Sequence, residues 1–129
     1  MIHVDPETHE YREDGAIIRD PSVTQVLKAE GFIDTTWFTE YGRIRGSHLH
    51  TACHMEDTGV LDEDSVDPAL TGLLEAWRRC KIETQVEILE SEVSHRDATY
   101  GYVGTPDKLV LYRGALEVWD IKTYTPAAW

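Results

Sequence analysis

A chain of 129 residues with 41% apolar residues has material for one hydrophobic core, so a single domain over residues 1–129 is expected. Asp and Glu number 24 against 12 Lys and Arg, a net charge of −12, which argues against a basic protein that coats nucleic acid or a membrane surface. An enzyme that meets DNA through bound divalent cations stays open.

There is no run of about 18 consecutive apolar residues, so no membrane partner is expected. The acidic start at Asp5, Glu7 and Glu10 does not look like a secretory signal, and the chain reads as cytoplasmic. Cys53 and Cys80 form no Cys-x-x-Cys pair and read as reduced core residues.

In chain order, His3 to Ile18 contains a turn signal at Glu13-Asp14-Gly15 between Tyr11 and Ile17-Ile18, which predicts a small hairpin. Ser22 then reads as the N-cap of a short helix with Val23, Val26 and Leu27 on one buried face and a stop at Gly31. The proline-free stretch from Gly42 to Thr58 predicts a helix of about four turns. Gly46 inside it costs on the order of 1 kcal/mol relative to Ala, which suggests a close-packing or ligand reason for its presence.

After the acidic connector Asp62-Glu63-Asp64-Ser65, Asp67 as N-cap and Pro68 at the first helical position open a helix that carries Leu70, Leu73, Leu74 and Trp77 and ends near Lys81. Strands are then expected over 86–95, over 102–111 with a break at Gly104-Thr105-Pro106, and over 116–123, with Arg113-Gly114 turning between the last two. Helices followed by a mainly antiparallel sheet predict an α+β arrangement, with helices on one sheet face.

Within the last strand, Leu116, Val118, Asp120 and Lys122 alternate with Glu117, Trp119, Ile121 and Thr123, so Asp120 and Lys122 share a face. An acid and an amine at the end of an otherwise buried strand are costly unless they pair or bind something, although an ordinary strand-end salt bridge has the same pattern. The hairpin brings Asp107 near Asp120, and two carboxylates forced together raise one pKa or share a cation. Upstream, Glu90 and Glu92 share a strand face that lines the same cleft or is simply solvated. Such oxygen-rich ligands suit Mg²⁺ or Mn²⁺.

The stretch Tyr100-Gly101-Tyr102-Val103-Gly104-Thr105-Pro106-Asp107, followed by Val118-Trp119-Asp120-Ile121-Lys122-Thr123, resembles the PD-(D/E)XK nuclease superfamily. Within it the likeness is to the RecB-like and phage exonuclease branch, where a Gly-x-x-Asp strand precedes an Asp-x-Lys-Thr strand. Arg45-Gly46-Ser47-His48-Leu49-His50 is similar to that branch's Arg-Gly-x-x-x-His signature, and 21–27 to an N-terminal segment common in phage members. Taken alone, a histidine such as His50 is more often a surface or satisfied side chain than a ligand, and His48 and His54 keep that reading.

The resemblance implies a restriction-endonuclease-like core and a metal-dependent DNA nuclease, an exonuclease in character, of phage replication, recombination or repair. It implies Asp107 and Asp120 as metal carboxylates, the Ile121 carbonyl and His50 as further ligands, and Glu90, with Glu92 as substitute, as the upstream acid. Lys122 would orient or deprotonate the attacking water and offset charge on the scissile phosphate, and Thr123 and Arg45 would contact substrate. It further implies Mg²⁺ or Mn²⁺, a bacterial host cell, and a homo-oligomer or a helicase or recombinase partner.

Members of this branch continue into a Gln-x-x-x-Tyr helix and a further strand, whereas this chain stops at Pro126-Ala127-Ala128-Trp129. Two expectations follow: a C-terminally incomplete piece, or a shortened protein whose sheet edge another chain covers, with exposed Trp119 and Trp129 marking that surface. The other functional reading is a non-enzymatic acidic module, an inhibitor or DNA mimic that occupies the basic cleft of a partner protein.

Overall fold

The structure, a computed structural model, describes residues 1–33 and 39–123. The elements run β1 (Ile2–Val4), β2 (Tyr11–Glu13), β3 (Ala16–Ile17), α1 (Val23–Ala29), α2 (Glu40–Asp57), α3 (Thr71–Thr84) and β4 (Glu87–Ser91). They continue as β5 (His95–Asp97), β6 (Tyr102–Gly104), β7 (Lys108–Tyr112) and β8 (Ala115–Trp119). This is a mixed α+β chain with small antiparallel sheets ordered β1-β2-β3, β5-β6 and β4-β7-β8. Among the described residues no helix is long and apolar enough to cross a membrane. The described residues gather into two compact units, one of residues 1–33 and 93–105, the other of residues 39–92 and 106–123.

In the first unit, Asp14 and Gly15 take φ of 49° and 85°, the left-handed pair that a two-residue hairpin loop between β2 and β3 demands. Ser22 caps α1 as expected, and the cap is reciprocal: Gln25 N–H donates to Ser22 Oγ at 3.1 Å while Ser22 N–H donates to Gln25 Oε1 at 2.9 Å. Val23 rests on Gly104 of β6, where a Cβ would lie 2.9 Å from Val23 Cγ2. The expected buried face is only partly covered, because none of the residues of α1 is buried and Val23, Val26 and Leu27 stay more than a third exposed.

In the second unit, Thr39 caps α2, its Oγ1 accepting from Gly42 N–H at 3.0 Å, so the helix starts two residues ahead of the expected Gly42. Asp67 Oδ1 accepts from Ala69 N–H at 2.9 Å, and Pro68 opens a 3₁₀ turn that runs into α3. The helix continues to Thr84, and Gln85, with φ of 55°, ends it. Leu49, Ala52 and Cys53 of α2 pack with Leu70 and with Leu74 and Trp77 of α3, and Ile88, Trp119 and Ile121 close over them from the sheet side. That burial of apolar surface is what holds α2 and α3 on the sheet.

The expected strand over 86–95 is divided. Glu92 takes φ of 52°, so β4 stops at Ser91 and the chain leaves the sheet, later pairing as β5 with β6 instead. Glu92 therefore lies past the end of β4 and does not share a strand face with Glu90, and a register shift between Ile88 and Glu90 adds a bulge ahead of both. The last strand is likewise shorter, ending at Trp119 rather than at Thr123.

Two surface expectations on β8 reverse. Trp119 is half-buried, edge-on to Trp77 at 6.4 Å and to Tyr112 at 5.4 Å, with Nε1 donating to Glu117 Oε2 at 2.7 Å. Leu116 and Val118, each 64% exposed, form the open side, so β8 is not buried on both faces. The reason is register: they pair with Leu111 and Leu109, while Trp119 pairs with the buried Lys108. Trp129 and the three residues before it lie outside the described residues.

Candidate metal centre

The β7–β8 hairpin builds the centre. Its register pairs Lys108 with Trp119, so one step further out Asp107 faces Asp120, as the sequence spacing predicted. The Ile121 N–H donates to Asp107 Oδ2 at 2.8 Å, which ties that carboxylate to the backbone just past β8. From α2, His50 brings Nδ1 to 3.4 Å from Asp107 Oδ1, and its Nε2 meets the Ile121 carbonyl. Glu92 N–H donates to the Asp107 carbonyl at 3.0 Å, so the left-handed residue that ends β4 is tied beside the same aspartate. One ligand atom from each of His50, Glu92 and Asp107 lies within 4.8 Å of the others.

The electrostatics split the two aspartates. Burial alone would push Asp107 up, yet hydrogen bonds from His50, from Asp120 and from the Ile121 N–H together outweigh it and hold the carboxyl well below the usual range. Asp120 moves the opposite way: burial raises it first, the hydrogen bond to Asp107 raises it further, and Lys122 only partly opposes. His50 is raised above its ordinary value, chiefly by its hydrogen bond to Asp107. Two carboxyl groups held this close need a proton or a cation between them.

Lys122 Nζ stands 2.7 Å from Asp120 Oδ2, with both side chains more than half exposed. The shared face predicted for this pair is therefore present, in the form of a solvent-facing ion pair. Glu90, half-buried in β4 opposite Leu109, is not a member of the His50, Glu92 and Asp107 group. Thr123 lies against α2, its Oγ1 3.4 Å from where a Gly46 Cβ would sit, an ordinary contact distance. Arg45 Nε is buried with no hydrogen-bond partner among the described residues, and its guanidinium carbon lies 5.6 Å from the centre of the Tyr41 ring.

Beside Asp120, Ile121 and Lys122 opens a cleft of about 720 Å³ whose other wall is Leu73, Trp77, Cys80 and Trp119. Two features of the second unit escaped sequence reasoning. His54, read as bland, bonds Ser91 Oγ through Nδ1 at 2.7 Å, and Lys108 is 1% exposed, although an acid-lysine step ahead of a strand normally reads as solvated.

The donor set of carboxylates, one backbone carbonyl and one imidazole fits a hard or borderline divalent cation, with the imidazole favouring Mn²⁺ over Mg²⁺. Neither cysteine belongs to the ligand group found among the described residues, and burial pushes the Cys53 thiol up to about 11. Comparison of the chain with known protein families, curated proteins and solved structures finds no match, and the centre is read from its own geometry.

Proposed function

We propose that the chain carries the metal centre of a DNA nuclease with a restriction-endonuclease-like core, hydrolysing phosphodiesters with Mg²⁺ or Mn²⁺. The observation that carries this reading is the convergence of His50, Asp107 and Asp120 at one hairpin end, with Ile121 tied to both His50 and Asp107 and Lys122 on the adjoining face. A divalent cation bound there would supply Lewis acidity and a hydroxide near neutral pH. It would also give a chain of net charge −12 a means of holding a polyanion.

In this reading Asp107, held well below the usual carboxylate range, would be the permanent anionic ligand, and a cation would offset the crowding with Asp107 that raises Asp120. Glu92 stands closer to the other ligands than Glu90 and is the better placed upstream acid. Lys122, as an ammonium, would orient the attacking water and offset charge on the phosphate, the proton passing to solvent. Arg45, through its guanidinium charge, and Thr123 would be the substrate contacts in this reading. Action in the cytoplasm of a bacterial host, during replication, recombination or repair and alongside a second copy or a helicase or recombinase, belongs to the same proposal.

Thermal unfolding with and without Mn²⁺ tests the centre. The wild type gains melting temperature with metal, and Asp107→Ala and Asp120→Ala lose most of that gain. If both variants respond as the wild type does, the site is misassigned. Cleavage of linear duplex and single-stranded DNA tests the chemistry, with Lys122→Ala as the variant that must fall in rate.

A second reading, an acidic module that binds a basic protein, draws support from the net charge and from the open Leu116 and Val118 face. It predicts a salt-sensitive complex with a basic protein and no response to metal.

A further inference from the structure

Behind the metal centre lies a second polar cluster. Lys108, 1% exposed, places Nζ 2.8 Å from Asp57 Oδ2, donates to Ser91 Oγ at 2.6 Å and reaches the Cys53 carbonyl at 3.5 Å. Asp57, whose side chain is equally buried, also accepts from Lys81 Nζ at 2.6 Å and from Trp77 Nε1 at 3.0 Å. Ser91 Oγ continues the chain to His54 Nδ1 at 2.7 Å.

Each arm of this cluster ends close along the chain to a candidate ligand. Lys108 follows Asp107, Ser91 precedes Glu92, and His54 sits one turn of α2 after His50. Ser91 and Lys108 are also direct partners in the β4–β7 ladder, so the hydrogen bond between their side chains fixes the two strands at the level where Glu92 and Asp107 begin. Stability alone does not call for such a cluster, because apolar side chains of similar volume commonly replace a buried ion pair without loss. Directional hydrogen bonds supply something apolar packing does not, a defined spacing and orientation of the groups they join.

We infer that Lys108, Ser91, His54 and Asp57 are positioning residues that set the separation of His50, Glu92 and Asp107 and so tune cation affinity. The inference rests on the cation-site reading above. None of the four is required to touch the cation. Outer partners of this kind typically change metal affinity by about 10- to 100-fold when removed.

The test is Mn²⁺ binding by the full chain, followed through the loss of the free-ion EPR signal, alongside metal-free melting curves. The variants are Ser91→Ala, Ser91→Thr and the double replacement Lys108→Met with Asp57→Leu. The expected result is a cooperative melt for the double variant with Mn²⁺ binding weakened at least tenfold, a weakening in Ser91→Ala, and recovery in Ser91→Thr, which keeps the hydroxyl. If the double variant does not fold, the Ser91 pair decides, since Ser91→Ala leaves the Lys108–Asp57 pair in place. Wild-type affinity in folded variants overturns the positioning role. A wild type that takes up no Mn²⁺ while Asp107→Asn behaves identically overturns the cation site itself, and the inference falls with it.

Discussion

The Lys108–Asp57 pair gives an unequal double-mutant cycle. Removing one partner of a buried ion pair costs about 3–5 kcal/mol when it strands the other. Lys108→Met does not strand Asp57, which keeps Lys81 and the Trp77 indole as donors, so the cost should fall to about 2 kcal/mol, the worth of a lost charged hydrogen bond. Asp57→Leu leaves Lys108, among the described residues, with Ser91 Oγ, a distant carbonyl and the Trp77 ring 5.9 Å away but no counter-charge, and the cost should reach about 4–5 kcal/mol. In the double variant Lys81, 23% exposed, can turn to water, and a coupling of about 2–3 kcal/mol should appear. For a chain of this size each kcal/mol moves the melting temperature by roughly 3–5 °C. Urea and thermal unfolding in metal-free buffer measure all four corners. Additive losses, or a Lys108→Met loss equal to that of Asp57→Leu, would refute the reasoning.

Because Asp120 and His50 are both raised, a cation must displace protons that each group holds more tightly than usual, so the melting gain from Mn²⁺ should be larger at about pH 8 than at about pH 5.5. Without metal the sign for His50 is the reverse: its raised value lends stability that is full below 6.5 and lost as the pH rises through the folded value. The gap in melting temperature between wild type and His50→Ala should therefore shrink from about pH 6 to about pH 9, and a gap that widens contradicts the pairing with Asp107. Gly104→Ala, whose Cβ would meet the stiff Val23 side chain at 2.9 Å, should cost about 1–2 kcal/mol in unfolding by urea; no loss would mean that α1 is free to shift on β6.

Local chemistry was readable where it was self-contained. The Ser22 and Asp67 caps, the Asp14-Gly15 and Arg113-Gly114 turns and the facing of Asp107 with Asp120 depend on residues close in the chain or joined by one tight hairpin. Glu92 shows the limit. Nothing in Ser91-Glu92-Val93 marks a break, and the left-handed turn there accompanies a backbone hydrogen bond to Asp107, a long-range contact that local propensity does not register. On β8 the alternation itself was right, but both sets of side chains contain large apolar residues, so period two could not tell which face α2 and α3 cover. Lys108 carried a usable signal, since it shares alternation with the buried Val110 in β7, and that places it toward the core.

The central claim is that His50, Asp107 and Asp120 hold a divalent cation at the open end of the β7–β8 hairpin. Diffraction from Mn²⁺-soaked crystals, collected on both sides of the manganese absorption edge, addresses it directly. The account predicts an anomalous peak at about 2.0–2.4 Å from a carboxylate oxygen of Asp107, with Asp120 and His50 turned toward the same position. A peak elsewhere, or full Mn²⁺ occupancy at that position in Asp107→Ala crystals, would contradict it.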